Sequence, residues 1–575
     1  MIRRGAAAAV SPEAAVVARG SVVNLVAMVT GAVLTFGLTV LVSRWLQPAG
    51  AGALFELIAL FTIASNTLEF GADTGLLRWI SRARAVGGLA QVRRLVVIAL
   101  LPVAIIGTAA ATAIWVAAPE LARAFLRGLP HGGGVVDIRI VAPLVLLGAL
   151  SACLIDGARG FGRMWPYLAI EGLGKPTARM ALVLCALVAG LGLPGAVIAW
   201  GIPVAGGLAA SALIFAGILR AEVPVRVVPR EGPGRRRAQG GAALRPPRRP
   251  PRRPPLYAAT RRGIPDPPRR AGRHRRPPGQ ADDRRQGLGA EFWRFTAPRA
   301  FQGTFQVVIL WLDILLVGAM VSRYAAGVYA AVSKLALVGT FVLEGNRLAI
   351  GPQLSALLAR REYDRAAALF QTATRWLMLA SWPLYIAFAI FPAVVLGIFG
   401  PRYTAGAAAL AVLSLAMLVN LGTGNVTVVL LMGGKSSWSA INAGAALIVN
   451  IGLNLLLLPH LGILGAAIAW GASIVVDNVT AMIELRWVLG LAPFGPGYGL
   501  VAAVTVGCFG VTGIASRAVL GETLPALAVA LATGMVAFAA VLYAARAPLQ
   551  LAVMAAALRA RAVPAGTSQP GQRAA

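Results

Sequence analysis

Fourteen apolar stretches of roughly 20 residues recur along this chain, and each is long enough to cross a bilayer at about 1.5 Å per helical residue. They lie near 20–43, 52–77, 95–117, 139–157, 165–190, 195–219, 297–321, 325–352, 373–398, 406–432, 437–458, 463–485, 497–516 and 524–545. In hydrocarbon each segment must satisfy its own backbone N–H and C=O groups, which leaves the α-helix as the form for isolated apolar runs of this length. The expected fold class is therefore an all-α membrane protein with about 14 transmembrane helices.

Charge points elsewhere until it is localised. The formal net charge is +32, but the segment 220–290 alone carries 20 Arg against five acids and holds 14 of the 36 prolines. Its core, "RPPRRPPRRPP", has no aliphatic run to bury, so the segment is expected to be a disordered cytoplasmic linker. Nucleic-acid binding would want aromatics interleaved with the basic residues. Tyr257 is the one aromatic there, so no nucleic-acid partner is expected. A solvated strap and GC-rich codons read out of frame both remain open for this segment.

Short-loop arginines set the expected orientation. With both termini in the cytoplasm, the inner connections carry Arg82, Arg84, Arg93, Arg94, Arg159, Arg163, Arg360, Arg361, Arg365, Lys435 and Arg486. The outer ones carry Arg44, Arg123, Arg127, Arg323, Arg402 and Arg517. Pro12 and Glu13 interrupt the first residues, so span 1 reads as an uncleaved signal-anchor. The expected site is the cell inner (plasma) membrane, where anionic lipids would attract the basic linker.

No enzyme signature is present. Cys153, Cys185 and Cys508 form no CxxC pair, and His131, His274 and His460 are scattered, so neither metal nor cofactor is implied.

An internal repeat organises the chain. "GLPGAVIAWG" (192–201) returns as "GILGAAIAWG" (462–471), "GRMW" as "GKSSW", and "LVSRWLQPAGAGALFE" as "MVSRYAAGVYAA", with Gly52 matching Gly327. The expected domains are a tail 1–19, an N-lobe 20–219 of helices 1–6 and the linker 220–290. A C-lobe 291–487 of helices 7–12, an appended pair 488–545 and a tail 546–575 follow. Six spans per half make this a parallel repeat, whose substrate path lies between the halves.

"GAVLTFGLTVLVSRWLQPAGAGALFELIALF", "FGADTGLLRWISR" and "FWRFTAPRAFQGTFQVVILWLDILLVGAMVSRYAAGVYAAVSKLA" together resemble the two lobe openings of Wzx-type polysaccharide flippases, of the multidrug/oligosaccharidyl-lipid/polysaccharide (MOP) exporter superfamily. "GPQLSALLARREYDRA", "FGPRYTAGAAALAVLSLAML" and "GGKSSWSAINAGAALIVNIGLNLLLLPHLGILGAAIAWG" continue the likeness, which leaves out the linker and both tails. The resemblance implies a MATE-like pair of lobes and no enzyme. Its implied task is to flip an isoprenoid-diphosphate-linked oligosaccharide to the outer leaflet for surface polysaccharide (lipopolysaccharide) synthesis. An ion-coupled multidrug exporter of the same fold is the alternative. The implied partners are the lipid-linked oligosaccharide, membrane lipids, a polysaccharide polymerase and glycosyltransferases, around a monomer.

Ionisable groups inside spans are costly, about 2.5–3.5 kcal/mol each on insertion scales, and so are site candidates. Thr62, Asn66, Glu69 and Asp73 share a helical face, as do Arg299, Gln302, Gln306 and Asp313, and as Asn24 does with Thr35. Interhelical glue is the competing reading for the amides, and packing is the expected role of Asn450 and Asn454. Arg78, Arg299, Glu344 and Arg347 are placed near the cytoplasmic mouth, where arginine suits a bidentate grip on phosphate. Equal depth in the helix 7–8 hairpin leads to an expected Asp313–Lys334 ion pair.

Overall fold

The structure, a computed structural model, describes residues 12–86, 89–126, 133–222, 280–433 and 436–544. Both outer tails and 223–279 of the linker lie outside the described residues, as do the side chains of Asn24 and Arg299. What is described is helical, with no strand.

The N-lobe opens with α1 (Pro12–Leu68), which runs through a sharp bend at Gln47 (φ 58°). Pro48 disfavours the α conformation in the residue before it, so the bend falls where "LQP" requires it. The long helix is thus two crossings, the first two expected from sequence. Then come α2 (Ala72–Ala85), α3 (Val92–Val116), α4 (Ala118–Phe125) and α5 (Gly133–Gly160). A short α6 (Trp165–Tyr167), a π-helical stretch (Leu168–Gly174) and α7 (Lys175–Val188) together make one broken crossing, and α8 (Gly192–Glu222) closes the lobe. Twelve helices among the described residues are long and apolar enough to span a membrane. Dividing α1 at its bend and adding the broken α6–α7 crossing gives the fourteen expected.

The C-lobe runs from α9 (Gln280–Met320) through α10 (Arg323–Ala336), α11 (Thr340–Ala359), α12 (Tyr363–Ile390) and α13 (Pro392–Leu396). It continues with α14 (Ala407–Gly422), α15 (Val426–Met432), α16 (Ser436–Leu461) and α17 (Ile463–Leu489). Helix α9 is already formed at Gln280, inside the segment 220–290. The chain past Pro278 has no proline until Pro298, so nothing there removes a backbone donor or breaks the helix.

The repeat is visible in who packs on whom. Helix α3 lies on α5 and α5 on α8, as α12 lies on α14 and α14 on α17; α7 packs on α8 as α16 packs on α17. The halves meet chiefly where α1 lies along α9 and α10. Ala51, Ala326 and Ala330 are fully buried there, and small side chains let the backbones close up. At the centre, the repeat-related Gly52 and Gly327 touch reciprocally. A Cβ on Gly52 would meet the Arg323 carbonyl, and a Cβ on Gly327 would meet the Pro48 carbonyl. Around this contact Tyr403 Oη donates to Ser43 O (3.1 Å), Arg44 Nε donates to Ile398 O (2.8 Å), and Phe36 meets Phe399 edge-on at 5.7 Å.

The appended hairpin, α18 (Tyr498–Thr505) to α19 (Thr512–Leu520) and α20 (Leu524–Ala544), docks on the C-lobe. Tyr498 Oη donates to Gly422 O (3.0 Å), and Glu522 accepts from Ala393 N (2.7 Å) while pairing with Arg517.

Candidate functional site

A cavity of about 500 Å³ lies between the lobes, lined by α1, α2, α5, the π-helical stretch, α7 and α8, with Val307, Trp311 and Lys334 facing in from the C-lobe. The backbone at its rim is irregular. α1 ends in a tight turn where Phe70 and Gly71 take positive φ (46° and 72°), and the Ala72 amide donates back to Glu69 O at 2.7 Å. Phe70 is strained in that conformation, and Gly71 must be small because a Cβ there would lie 2.9 Å from Thr296 O. The break separates Glu69 from Asp73, which the periodicity placed on one continuous helix, yet both still line the cavity. Across from them, the π-helical stretch carries Glu171. Such wide turns are often found at functional sites.

Four carboxylates (Glu69, Asp73, Asp156, Glu171) and four cations (Arg159, Lys175, Arg179, Lys334) line this space. Half of them are paired. Arg159 bonds Asp156 at 2.7 Å, one turn away, and stacks over Tyr167. Lys175 bonds Glu171 and lies 3.3 Å from Ser151 Oγ, its stem packed where a side chain on Gly207 would sit.

The other half are not paired. Arg179 lies over the Trp200 ring, 4.2 Å from its centre, and Lys334 over Trp311 at 3.9 Å. Neither has a carboxylate within 4 Å, and no described cation reaches Glu69 or Asp73 at that distance. An indole face partly compensates a cation that has left water, so these two positions hold charge without consuming it in an ion pair. Trp200 in turn stacks edge-on against Phe61. Asn66 adds a buried Oδ1 with no partner.

Of the residues singled out in the sequence, Thr35, Thr62, Asn66, Glu69, Asp73 and Lys334 line the cavity; the side chains of Asn24 and Arg299 lie outside the described residues, and the remainder sit elsewhere. Arg78 stacks over Phe295 at 3.7 Å, Gln302 bonds Ser439 Oγ at 2.7 Å, and Gln306 is exposed. Arg347 pairs with Glu344 at 2.7 Å, outside the cavity lining. The Asp313–Lys334 pair is not formed. Asp313 is fully enclosed in the C-lobe, accepting from Tyr329 Oη and Asn454 Nδ2 at 2.8 Å each, while Lys334 turns to the cavity. Equal depth in a hairpin fixes a level but not a direction around the helix, and these side chains point apart. Asn454 thus serves as the α9–α16 tie expected of it. Sequence reasoning missed Asp156, Arg159, Glu171, Lys175 and Arg179. Asp156 and Arg159 lie at the end of an apolar span, where they read as an ordinary loop flank, but Arg179, eleven residues inside the fifth span, was a visible signal. Among the described residues no group of three or more His, Cys, Asp or Glu could hold a metal ion.

Solved structures share this fold. An inward-facing multidrug-resistance MATE-family transporter of the MOP superfamily aligns with TM-score 0.58 at 13% identity, over 80% of this chain and 93% of that one. The lipid II flippase MurJ, in an inward closed conformation, aligns with TM-score 0.61 at 11% identity, over 91% and 98%. The fold is that of the MOP-superfamily transporters. A substituted form of the Vibrio cholerae MATE transporter VcmN gives 0.53 at 13% identity, over 82% and 98%. At these identities the likeness is one of MOP fold, and the neighbours are transporters and flippases, not enzymes. No family model and no curated protein sequence matches the chain.

Proposed function

We propose that this MOP-fold transporter is a flippase of the Wzx type. It would carry an isoprenoid-diphosphate-linked oligosaccharide from the inner to the outer leaflet of the plasma membrane, with both termini in the cytoplasm. Glycosyltransferases would supply the cargo and a surface-polysaccharide polymerase would consume it, the transporter acting as a monomer.

One observation carries this reading: Arg179 and Lys334 line one cavity from opposite lobes, each on a tryptophan face and with no carboxylate within 4 Å. A diphosphate held by both would tie its own binding to the relative position of the lobes, which is what alternating access between two halves requires. Guanidinium and ammonium on aromatic faces suit phosphate oxygens.

The competing reading, an ion-coupled multidrug exporter, is favoured by Glu69 and Asp73, whose carboxylates suit an organic cation. Deleting the gene separates the two. A flippase leaves lipid-linked oligosaccharide accumulating on the inner leaflet, relieved by the wild-type gene and not by an Arg179→Gln/Lys334→Gln variant. Increased sensitivity to cationic dyes with no such accumulation would favour the exporter.

A further inference from the structure

The flippase reading uses only the positive half of the cavity. Glu69 and Asp73 remain, two carboxylates facing the same space with no described cation within 4 Å. The cations that share this end of the cavity with them, Arg159 and Lys175, are already bonded to Asp156 and Glu171. The cavity therefore presents two cationic and two carboxylate side chains that have no opposite side chain within 4 Å. Glu69 stands seventeen residues past Gly52 and Lys334 seven past the repeat-related Gly327, so their backbone positions are offset by about ten residues, roughly 15 Å in an ideal helix.

We infer that the cargo is zwitterionic: its phosphate sits at Arg179 and Lys334, and a protonated amino sugar, a short oligosaccharide's length away, sits at Glu69 and Asp73. This rests on the flippase reading and adds a substrate class to it. An unpaired carboxylate away from water is costly, and an opposite charge removes much of that cost. A phosphate alone would satisfy one end of the cavity and leave the other uncompensated. An organic cation alone would do the reverse. A head group carrying both charges satisfies both ends, and it also fixes the direction in which the cargo lies. The buried Asn66 Oδ1, three residues before Glu69 and without a partner, is one more acceptor for an ammonium or hydroxyl donor at that end.

The test is equilibrium binding to the full-length protein in nanodiscs. It uses two synthetic farnesyl-diphosphate trisaccharides that differ only in the terminal sugar, glucosamine in one and N-acetylglucosamine in the other. A third probe is the glucosamine trisaccharide on farnesol with no phosphate. The glucosamine diphosphate is expected to bind at least tenfold more tightly than its N-acetyl counterpart. That ratio should fall to about one in Glu69→Gln/Asp73→Asn, and Glu69→Gln alone serves if the double variant fails to fold. Equal affinity of the two diphosphates for the wild-type protein, with both weakened by Lys334→Gln, overturns this inference and leaves the flippase reading standing. Undiminished binding of the phosphate-free probe overturns both.

Discussion

Asp313 and Lys334 show how two buried charges on one hairpin come to do different work. Asp313 faces inward to its own lobe, where Tyr329 and Asn454 saturate it, and it ties α9 to α10 and α16. Hydrogen bonds to a charged acceptor are each worth about 1.5–3 kcal/mol, although within membranes the measured average is nearer 0.6. Tyr329→Phe is therefore expected to destabilise the protein by about 1–2 kcal/mol, read as a lower unfolding temperature in detergent, with cargo binding retained. Loss of binding without loss of stability would put Tyr329 in the transport path instead. Helical periodicity made Asn66 and Glu69 legible because they recur on one face of an otherwise apolar span. It also offered Glu171, Lys175 and Arg179, at i, i+4 and i+8 inside the fifth span, a face that the Gly and Pro of "EGLGKPTARM" obscure; in the fold these residues sit on the π-helical stretch Leu168–Gly174 and on α7.

At the scale of elements, the helices that could be counted from the sequence are the ones present, since length and hydropathy decide which segments cross a bilayer. Their breaks were less legible. The bend at Gln47–Pro48 is written in the proline, but the turn at Phe70–Gly71 depends on α9 pressing Thr296 against Gly71, a contact between residues more than two hundred positions apart. The most consequential element contact, α1 with α10, rests on Gly52 and Gly327. A methyl group at either position would strike a carbonyl of the other lobe, and overpacking of this kind costs about 1–3 kcal/mol. Gly52→Ala and Gly327→Ala should each weaken the closed seam. The expected readout is greater access of a thiol reagent to a cysteine introduced at Val42, in a background without Cys153, Cys185 and Cys508. Unchanged access in both variants would mean that the seam does not depend on the glycine contact.

For the whole molecule, the repeat anticipated the two-lobe plan, while the strap expected from composition lies mostly outside the described residues. Where the strap leaves and rejoins the lobes is informative. Glu222 at the end of α8 pairs with Arg84 and Arg163, and Glu291 in α9 pairs with Arg82. Both junctions therefore lie beside α2, and a short replacement can bridge them. Replacing 230–275 with about ten Gly/Ser residues, roughly 16–19 Å in r.m.s. reach, should leave translocation within about twofold of wild type. A loss of tenfold or more would assign the basic segment a direct role. Charge placement, in contrast to the lobes themselves, was only half legible at this scale. The segment 220–290 accounts for +15 of the net +32, whereas the cavity between the lobes is lined by four carboxylates and four cations.

The most direct test of the account is leaflet transfer of a fluorescent polyprenyl-diphosphate oligosaccharide in proteoliposomes, scored by the fraction protected from a membrane-impermeant quencher. The wild-type protein should equilibrate the probe between leaflets. Arg179→Gln and Lys334→Gln, folded as judged by unfolding temperature, should each slow transfer by tenfold or more. Wild-type rates in both variants, or no transfer above protein-free vesicles by the wild-type protein, would contradict it.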